Sequence, residues 1–384
     1  VKNIHLLYVI LLAFSTQLSA QDPFYAHFYN NEAFYNPSLV GHRGALSFNA
    51  KYKSQWPASN VAPFISGMIS MEESMPCSLF DYGLSLNFDE EGDGRFRSYD
   101  FGFRFAGTPA LTIRNSVHNL RLGAAFQWTL KTVDYSKFIF SDELHPKYGS
   151  VDVFGNDLPT GFVPPNEGES HVFFTPAVGF SYHLLSNENS ETANSFALGG
   201  ALHNAFSLGN KLLGNEESIL GIGAKIPVRI NAFARAEFIL SNNRRNYWSM
   251  GPMFFYQKQG QLEYGEAGFF TTFNRTLRGA ILYHFSPKTM AGNSTNWFSF
   301  NIEFGGLVSE EKRIDLGLSY SNNFSGLRNV VGPIFEFSVS FHFAQSPVCR
   351  MMGRGDEVPY AKGAKCPTAA FSPNRKKMYE NIWY

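Results

Sequence analysis

Phe335-Glu336-Phe337-Ser338-Val339-Ser340-Phe341-His342-Phe343 sets five apolar residues, four of them Phe, against four polar ones in strict alternation. A β-strand sends successive side chains to opposite faces, so this segment has one greasy, aromatic face and one polar face. Related segments of roughly ten residues recur back to Gly44. A soluble sandwich would turn the greasy face inward, whereas a barrel in an outer membrane turns it to lipid and keeps polar groups in its lumen. So many outward Phe and Tyr exceed what one soluble core needs.

The clearest further strands run through Leu46-Tyr52, Tyr82-Phe88, Tyr99-Phe105 and Leu120-Leu130, then Ile226-Ile230, Ile281-Phe285, Phe298-Phe304 and Ile314-Tyr320. Alternation is weaker near 62–71, 172–184, 196–204, 247–258 and 262–273, and the last run breaks phase at Gly268 as a bulge would. The count predicts an all-β fold, a transmembrane antiparallel up-and-down barrel of about 14 strands. An even count places both termini on the periplasmic side and the long connections 132–171 and 205–221 outside the cell. Thr108 to Val117 reads as a longish inner turn.

The start of the chain reads as a secretory signal. Lys2 precedes the apolar run Ile4–Phe14, and Ser19-Ala20 supplies small residues before Gln21. That run is too short to cross a bilayer as a helix, which takes roughly 20 residues. The expected organisation is a signal peptide at 1–20, an N-terminal periplasmic or plug segment at 21–43, a barrel at 44–343 and a periplasmic tail at 344–384.

Aromatics make up 16% of the chain, yet mean hydropathy falls slightly below zero. Half-apolar, half-polar strands give that combination. Thirty-two basic residues balance 32 acidic ones, so charge offers no reason to propose nucleic acid as a partner. Asp81, Arg104, Arg121, Arg229, Arg235, Glu237, Glu303, Asp315 and Glu336 fall on the inward face. Ionised groups are costly to bury unpaired, so the lumen is either wet or filled with paired charges. A fourteen-stranded wall is too wide for its own side chains to fill. Residues 21–43 and the loop 132–171 are the segments available to plug it.

No catalytic set stands out. The ten histidines are scattered, and Ser181 and His183 share a strand face without a spacing that demands catalysis. Asp89-Glu90-Glu91-Gly92-Asp93-Gly94 resembles a fragment of a calcium loop but lacks its distal acid, and a solvated hairpin turn accounts for it equally. Asn274-Arg275-Thr276 falls in an inner turn, and Arg354-Gly355-Asp356 lies in the tail. Cys349 and Cys366 could bridge a small loop, Cys77 stands alone, and no pair has metal-ligand spacing. No cofactor or metal is expected, and the chain reads as non-enzymatic. The basic cluster Arg375-Lys376-Lys377 with Tyr379, Trp383 and Tyr384 is either a solvated end or a docking peptide.

Five short motifs carry a family resemblance. Gln21-Asp22-Pro23 followed by Asn36-Pro37 and Gly41, then Gln55-Trp56-Pro57, Leu120-Arg121-Leu122-Gly123, Phe138-Ile139-Phe140-Ser141-Asp142 and Tyr256-Gln257-Lys258-Gln259-Gly260 resemble, in order, the PorP/SprF outer-membrane proteins of the type IX secretion and gliding machinery. An Arg-Pro-Asn-like piece often present after the seventh strand is missing, replaced by Asn204-Ala205-Phe206-Ser207-Leu208. Residues 367–384 run past the usual end. The resemblance implies an outer-membrane barrel that anchors or helps export one secreted cargo, such as a cell-surface adhesin. It implies periplasmic secretion-ring proteins and outer-membrane lipid as further partners. Trp56, Pro57, Lys258, Gln259 and Gly260 become the candidate partner-binding residues. The competing expectation is a transporter of small hydrophobic molecules with residues 21–43 as a hatch, which needs an apolar lumen cavity and a breach in the wall.

Overall fold

The computed structural model describes residues 25–26, 31–42, 46–57, 63–75, 80–92, 96–107, 110–113, 116–135, 138–163, 171–186, 194–204, 226–242, 247–260, 262–274, 276–286, 296–309, 312–323, 332–343 and 347–348. The signal sequence, all three cysteines, the Arg354-Gly355-Asp356 triplet and the basic end of the tail lie outside these residues.

The strands are β1 (Leu46–Gln55), β2 (Phe64–Glu73), β3 (Phe80–Glu91), β4 (Phe96–Gly107), β5 (Ala110–Ile113), β6 (Ser116–Thr132), β7 (His171–Leu185) and β8 (Ser195–His203). They continue with β9 (Arg229–Asn242), β10 (Tyr247–Gln259), β11 (Leu262–Phe273), β12 (Leu277–Phe285), β13 (Trp297–Ser309), β14 (Lys312–Asn323) and β15 (Ile334–Phe343). Each pairs antiparallel with its neighbours, and β15 pairs with β1 from Ile334↔Gln55 to Phe343↔Leu46, which closes the sheet. Both β4 and β5 pair with β6, so β5 prolongs the line of β4 and fourteen strands form the closed barrel.

Two expectations need correction. Thr108 to Val117 is not simply a turn: Ala110↔Asn119 to Ile113↔Ser116 extend the ladder, because β6, at 17 residues, outreaches the 12 of β4. Nor does β11 bulge at Gly268, where its pairs with β10 and β12 run unbroken. The apparent phase break comes from Phe269-Phe270. Phe269 points outward at 62% exposure and Phe270 inward at 2%. The register shifts fall instead at Trp248/Ser249 and Leu307/Ser309.

Alternation sorts the side chains as a membrane barrel requires. Phe48, Ile69, Leu86, Phe101, Trp128, Phe180, Ile281, Phe300, Leu318 and Phe337 are exposed on the outside. Their inward neighbours, among them Lys51, Ser70, Asn87, Arg104, Arg121, Ser181, Glu303 and Glu336, are buried. An apolar belt of this extent is stable against lipid, not water. A cavity of about 740 Å³ is lined mostly by residues of this outer face. Its lining comes from seven neighbouring strands (β15, β1 to β4, β6 and β7) and includes the inward Lys51, Met68, Asn87, Asp100 and Thr129 beside the outward residues.

Candidate functional site: a filled lumen and a folded rim

Residues 25–26 and 31–42 lie inside the barrel. The one-turn helix α1 (Glu32–Tyr35) leads into a 3₁₀ turn at Pro37–Leu39. Local chemistry sets this shape. Asn36 is extended (φ −144°, ψ 110°), as a residue before proline must be, and its Oδ1 accepts from the Ser38 N–H at 3.0 Å and the Ser38 hydroxyl at 2.8 Å. Pro37 opens the turn, where its missing N–H costs nothing.

The segment runs the length of the lumen. At the end where β1 begins and β15 finishes, the Gly41 N–H donates to Glu72 Oε2 at 3.1 Å. Gly41 holds φ +68°, and a Cβ there would meet Asp81 at 2.8 Å. At the opposite half, the Ala26 N–H donates to Glu336 Oε1 at 2.7 Å, and Lys51 Nζ sits 5.5 Å from the Tyr25 ring centroid.

Between these points the inward charges find partners. Arg121 donates from Nε to the Ser38 carbonyl at 2.7 Å, and from Nη2 to the Val40 carbonyl at 2.5 Å and Asp81 Oδ2 at 2.8 Å. Arg235 pairs with Glu32 and reaches His42 Nε2 at 3.0 Å. His203 Nε2 and Asn231 Nδ2 both contact the Tyr35 carbonyl, at 2.9 and 2.8 Å. Asn36 Nδ2 donates to the wall carbonyls of Phe180 and Gly200 at 2.9 and 3.3 Å. Charge-assisted bonds in a desolvated setting are strong when made, and removing one partner costs about 3–5 kcal/mol.

Beside this polar set lies an apolar one that the sequence reading missed. Phe34 and Tyr35 pack with Met68, Phe233, Met253, Phe255, Phe270 and Leu282, all buried, and Tyr35 meets Phe255 edge-on at 5.0 Å. The inward face of β9 to β12 is therefore locally greasy where the segment's aromatics press on it.

The inward histidines sit in wall networks. His183 Nε2 is 3.3 Å from Ser181 Oγ, with the His42 ring 4.6 Å away. Ser299 Oγ lies 2.5 Å from His284 Nε2, while His284 Nδ1 faces Glu266 Oε2 at 3.4 Å and the Tyr264 hydroxyl. Ser299, His284 and Glu266 are each 0% exposed, so a substrate has no approach and the trio acts as a cross-strand tie. Asp89 and Glu90 point to opposite faces of β3, Asp89 accepting from Ser66 and Glu90 pairing with Arg97 at 2.8 Å, so they do not converge on a cation. Asn274, at φ 50°, exchanges hydrogen bonds with the Tyr247 backbone and serves its turn.

At the end opposite to where β1 begins and β15 finishes, residues 138–163 fold between β6 and β7. The Phe140 and Phe162 rings stack at 4.2 Å. Asp142 accepts from the Gly161 N–H at 2.6 Å and from the Thr160 hydroxyl, clasping the loop's neck. Asp152 accepts from the N–H groups of Phe154 (2.7 Å) and Asn156 (3.0 Å) at its tip. Both carboxyls are held below the usual range, Asp142 chiefly by the Gly161 N–H and Asp152 chiefly by that of Asn156. Val153, Phe154 and Val163 stand 60%, 85% and 77% exposed.

The residues chosen from sequence lie at this same end but apart from one another. Trp56, at φ 60°, donates its N–H to the Pro333 carbonyl at 3.1 Å and meets Phe64 edge-on, with Pro57 exposed beside it. Lys258 pairs with Glu263 across the β10–β11 turn, Gln259 is buried, and Gly260 takes φ 60°. Four strands, β12 to β15, separate the two turns, about 24 Å around the wall. They do not form one patch.

A family model described as "Type IX secretion system membrane protein PorP/SprF" matches residues 17–341. No curated protein matches this chain. Among solved structures it is similar to the CymD monoaromatic hydrocarbon channel (11% identity, 83% of this chain and 94% of that one, TM-score 0.41). It is also similar to the Acinetobacter baumannii outer membrane protein Omp33 (8%, 79% and 100%, 0.38) and to the Pseudomonas putida toluene transporter TodX (11%, 86% and 100%, 0.38). Likenesses this distant say nothing about what this chain binds.

Proposed function

The chain belongs to the PorP/SprF family of type IX secretion membrane proteins, and from that premise we propose that it is a holder rather than a channel. It anchors or helps export one secreted client, such as a surface adhesin, at the outer membrane. The observation that carries this reading is the occupied lumen: the inward side chains are buried around residues 25–26 and 31–42 of the chain itself. A barrel filled this way is suited to binding at its ends.

The client side is the end bearing 138–163, where the exposed Val153, Phe154 and Val163 offer apolar contacts on a clasped loop. Trp56, Pro57, Lys258, Gln259 and Gly260 belong to the same rim as separate contact points. The opposite end, where β1 begins and β15 finishes, faces the periplasm and its secretion-ring proteins. On this reading 1–20 is the export signal, 21–43 the plug, 44–343 the barrel and 344–384 the periplasmic extension.

The transporter alternative needs a lumenal apolar cavity and a breached wall. Strand pairing instead continues around the whole circumference, and residues 25–26 and 31–42 occupy the lumen. Gentle purification from native membranes, with mass spectrometry of what co-purifies, tests the proposal. A large secreted protein or periplasmic ring components at near-stoichiometric level are expected. Recovery of the barrel alone, loaded with small hydrophobic molecules, would overturn it.

A further inference from the structure

The wall that meets Asn36-Pro37-Ser38 has the properties of a receptor. Gly123 of β6 and Gly179 of β7 face each other directly across the ladder, and Gly199 of β8 follows. A Cβ on Gly123 would fall 2.4 Å from the Ser38 nitrogen, and one on Gly179 would fall 2.2 Å from Asn36 Oδ1. Neither position tolerates a side chain while the turn is seated, so the wall is recessed to the depth of a bare backbone.

The polar groups around this recess mostly read main chain. Arg121 takes the Ser38 and Val40 carbonyls, and His203 with Asn231 takes the Tyr35 carbonyl. Side-chain recognition includes three contacts of Asn36, Glu32 and Tyr35. The Asn36 amide donates to two wall carbonyls, Glu32 pairs with Arg235, and Tyr35 enters the aromatic recess at Phe255.

We propose that the lumen is a peptide-binding site for an acid–aromatic–Asn-Pro-Ser segment, and that residues 31–42 are its exchangeable resident ligand. Only residues 43–45 connect that ligand to β1, so its effective concentration is on the order of millimolar. A competitor must be held close to the barrel to displace it. That the competitor is an exported chain rests on the function proposed above; the binding site does not.

The test uses the full chain, folded in lipid nanodiscs, with a protease site inserted between His42 and Leu46 and cut after folding. The probe is a dye-labelled synthetic peptide of residues Tyr25 to His42. Cut protein should exchange its segment for the probe saturably, and uncut protein should bind it about 100-fold more weakly. An Asn36→Ala probe should lose about tenfold in affinity, and Gly179→Leu in the wall should abolish binding. The probe variant requires no change to the barrel, so the test survives a misfolded wall mutant. Permanent retention of the cut segment without exchange, or binding indifferent to Asn36→Ala, would overturn the proposal. Peptide exchange without any co-purifying client would instead sink the proposed function and leave the site standing.

Discussion

The lumenal segment and the rim loop are both irregular chain stabilised by carboxylates, and they differ in where those carboxylates sit. Glu32 and Asp81 meet Arg235 and Arg121 away from water, in a matrix of buried wall residues. Asp142 is exposed and Asp152 half-buried at the solvent-facing loop, and both accept from backbone N–H groups of their own loop. The same chemistry therefore has different reach. Breaking the buried set leaves an ion desolvated and unpaired, whereas breaking the exposed set lets water substitute.

The largest break should come from Arg121→Ala. It removes two carbonyl contacts to the segment and the ion partner of Asp81 together, at about 3–5 kcal/mol, read from the urea-unfolding midpoint and from protease access to 31–42. Asp81→Ala in the same background should recover part of that loss, because no carboxylate then stays buried without its arginine. Glu32→Gln follows at about 2–3 kcal/mol, the value of a hydrogen bond to a charged group. Asn36→Ala should cost about 1–2 kcal/mol for its two wall carbonyls and raise hydrogen exchange across 31–39.

The rim gives the smallest and most local effects. The depressed carboxyls of Asp142 and Asp152 stabilise the loop fully above the ordinary carboxylate value, and that contribution is lost as pH falls through their lower folded values. Proteolysis of 138–163 should therefore stay slow at pH 5 and accelerate only below about pH 4, with the barrel's melting temperature unchanged. Asp142→Asn should give the acid phenotype at neutral pH. A global loss of stability in Asp142→Asn, or a purely local one in Arg121→Ala, would erase the distinction between the two regions.

Much of the fold was legible because most strands alternate without exception. Phe335 to Phe343 reads the same in sequence and in space, and all nine inward charges named from sequence lie within the wall's inner face. Legibility failed where the segment touches the wall. Runs 247–258 and 262–273 alternate poorly because Met253, Phe255 and Phe270 turn inward to meet Phe34 and Tyr35, so both faces are apolar there. The family motifs were visible, but not their roles. Asn36-Pro37, Gly41, Arg121 and Gly123 prove to be two sides of one contact, separated by about eighty residues of chain, and no local pattern links them. The one available signal was the run of inward glycines in β6 to β8, which leaves a wall without side chains opposite a segment that needs the space.

Single-channel recording of the purified full-length protein in a planar bilayer most directly tests the claim that the lumen is filled by its own chain. Wild-type protein should show no steady ohmic conductance, and Arg121→Ala should show intermittent openings as the segment leaves the wall. A stable open channel in the wild type would contradict the account and return the barrel to the class of pores.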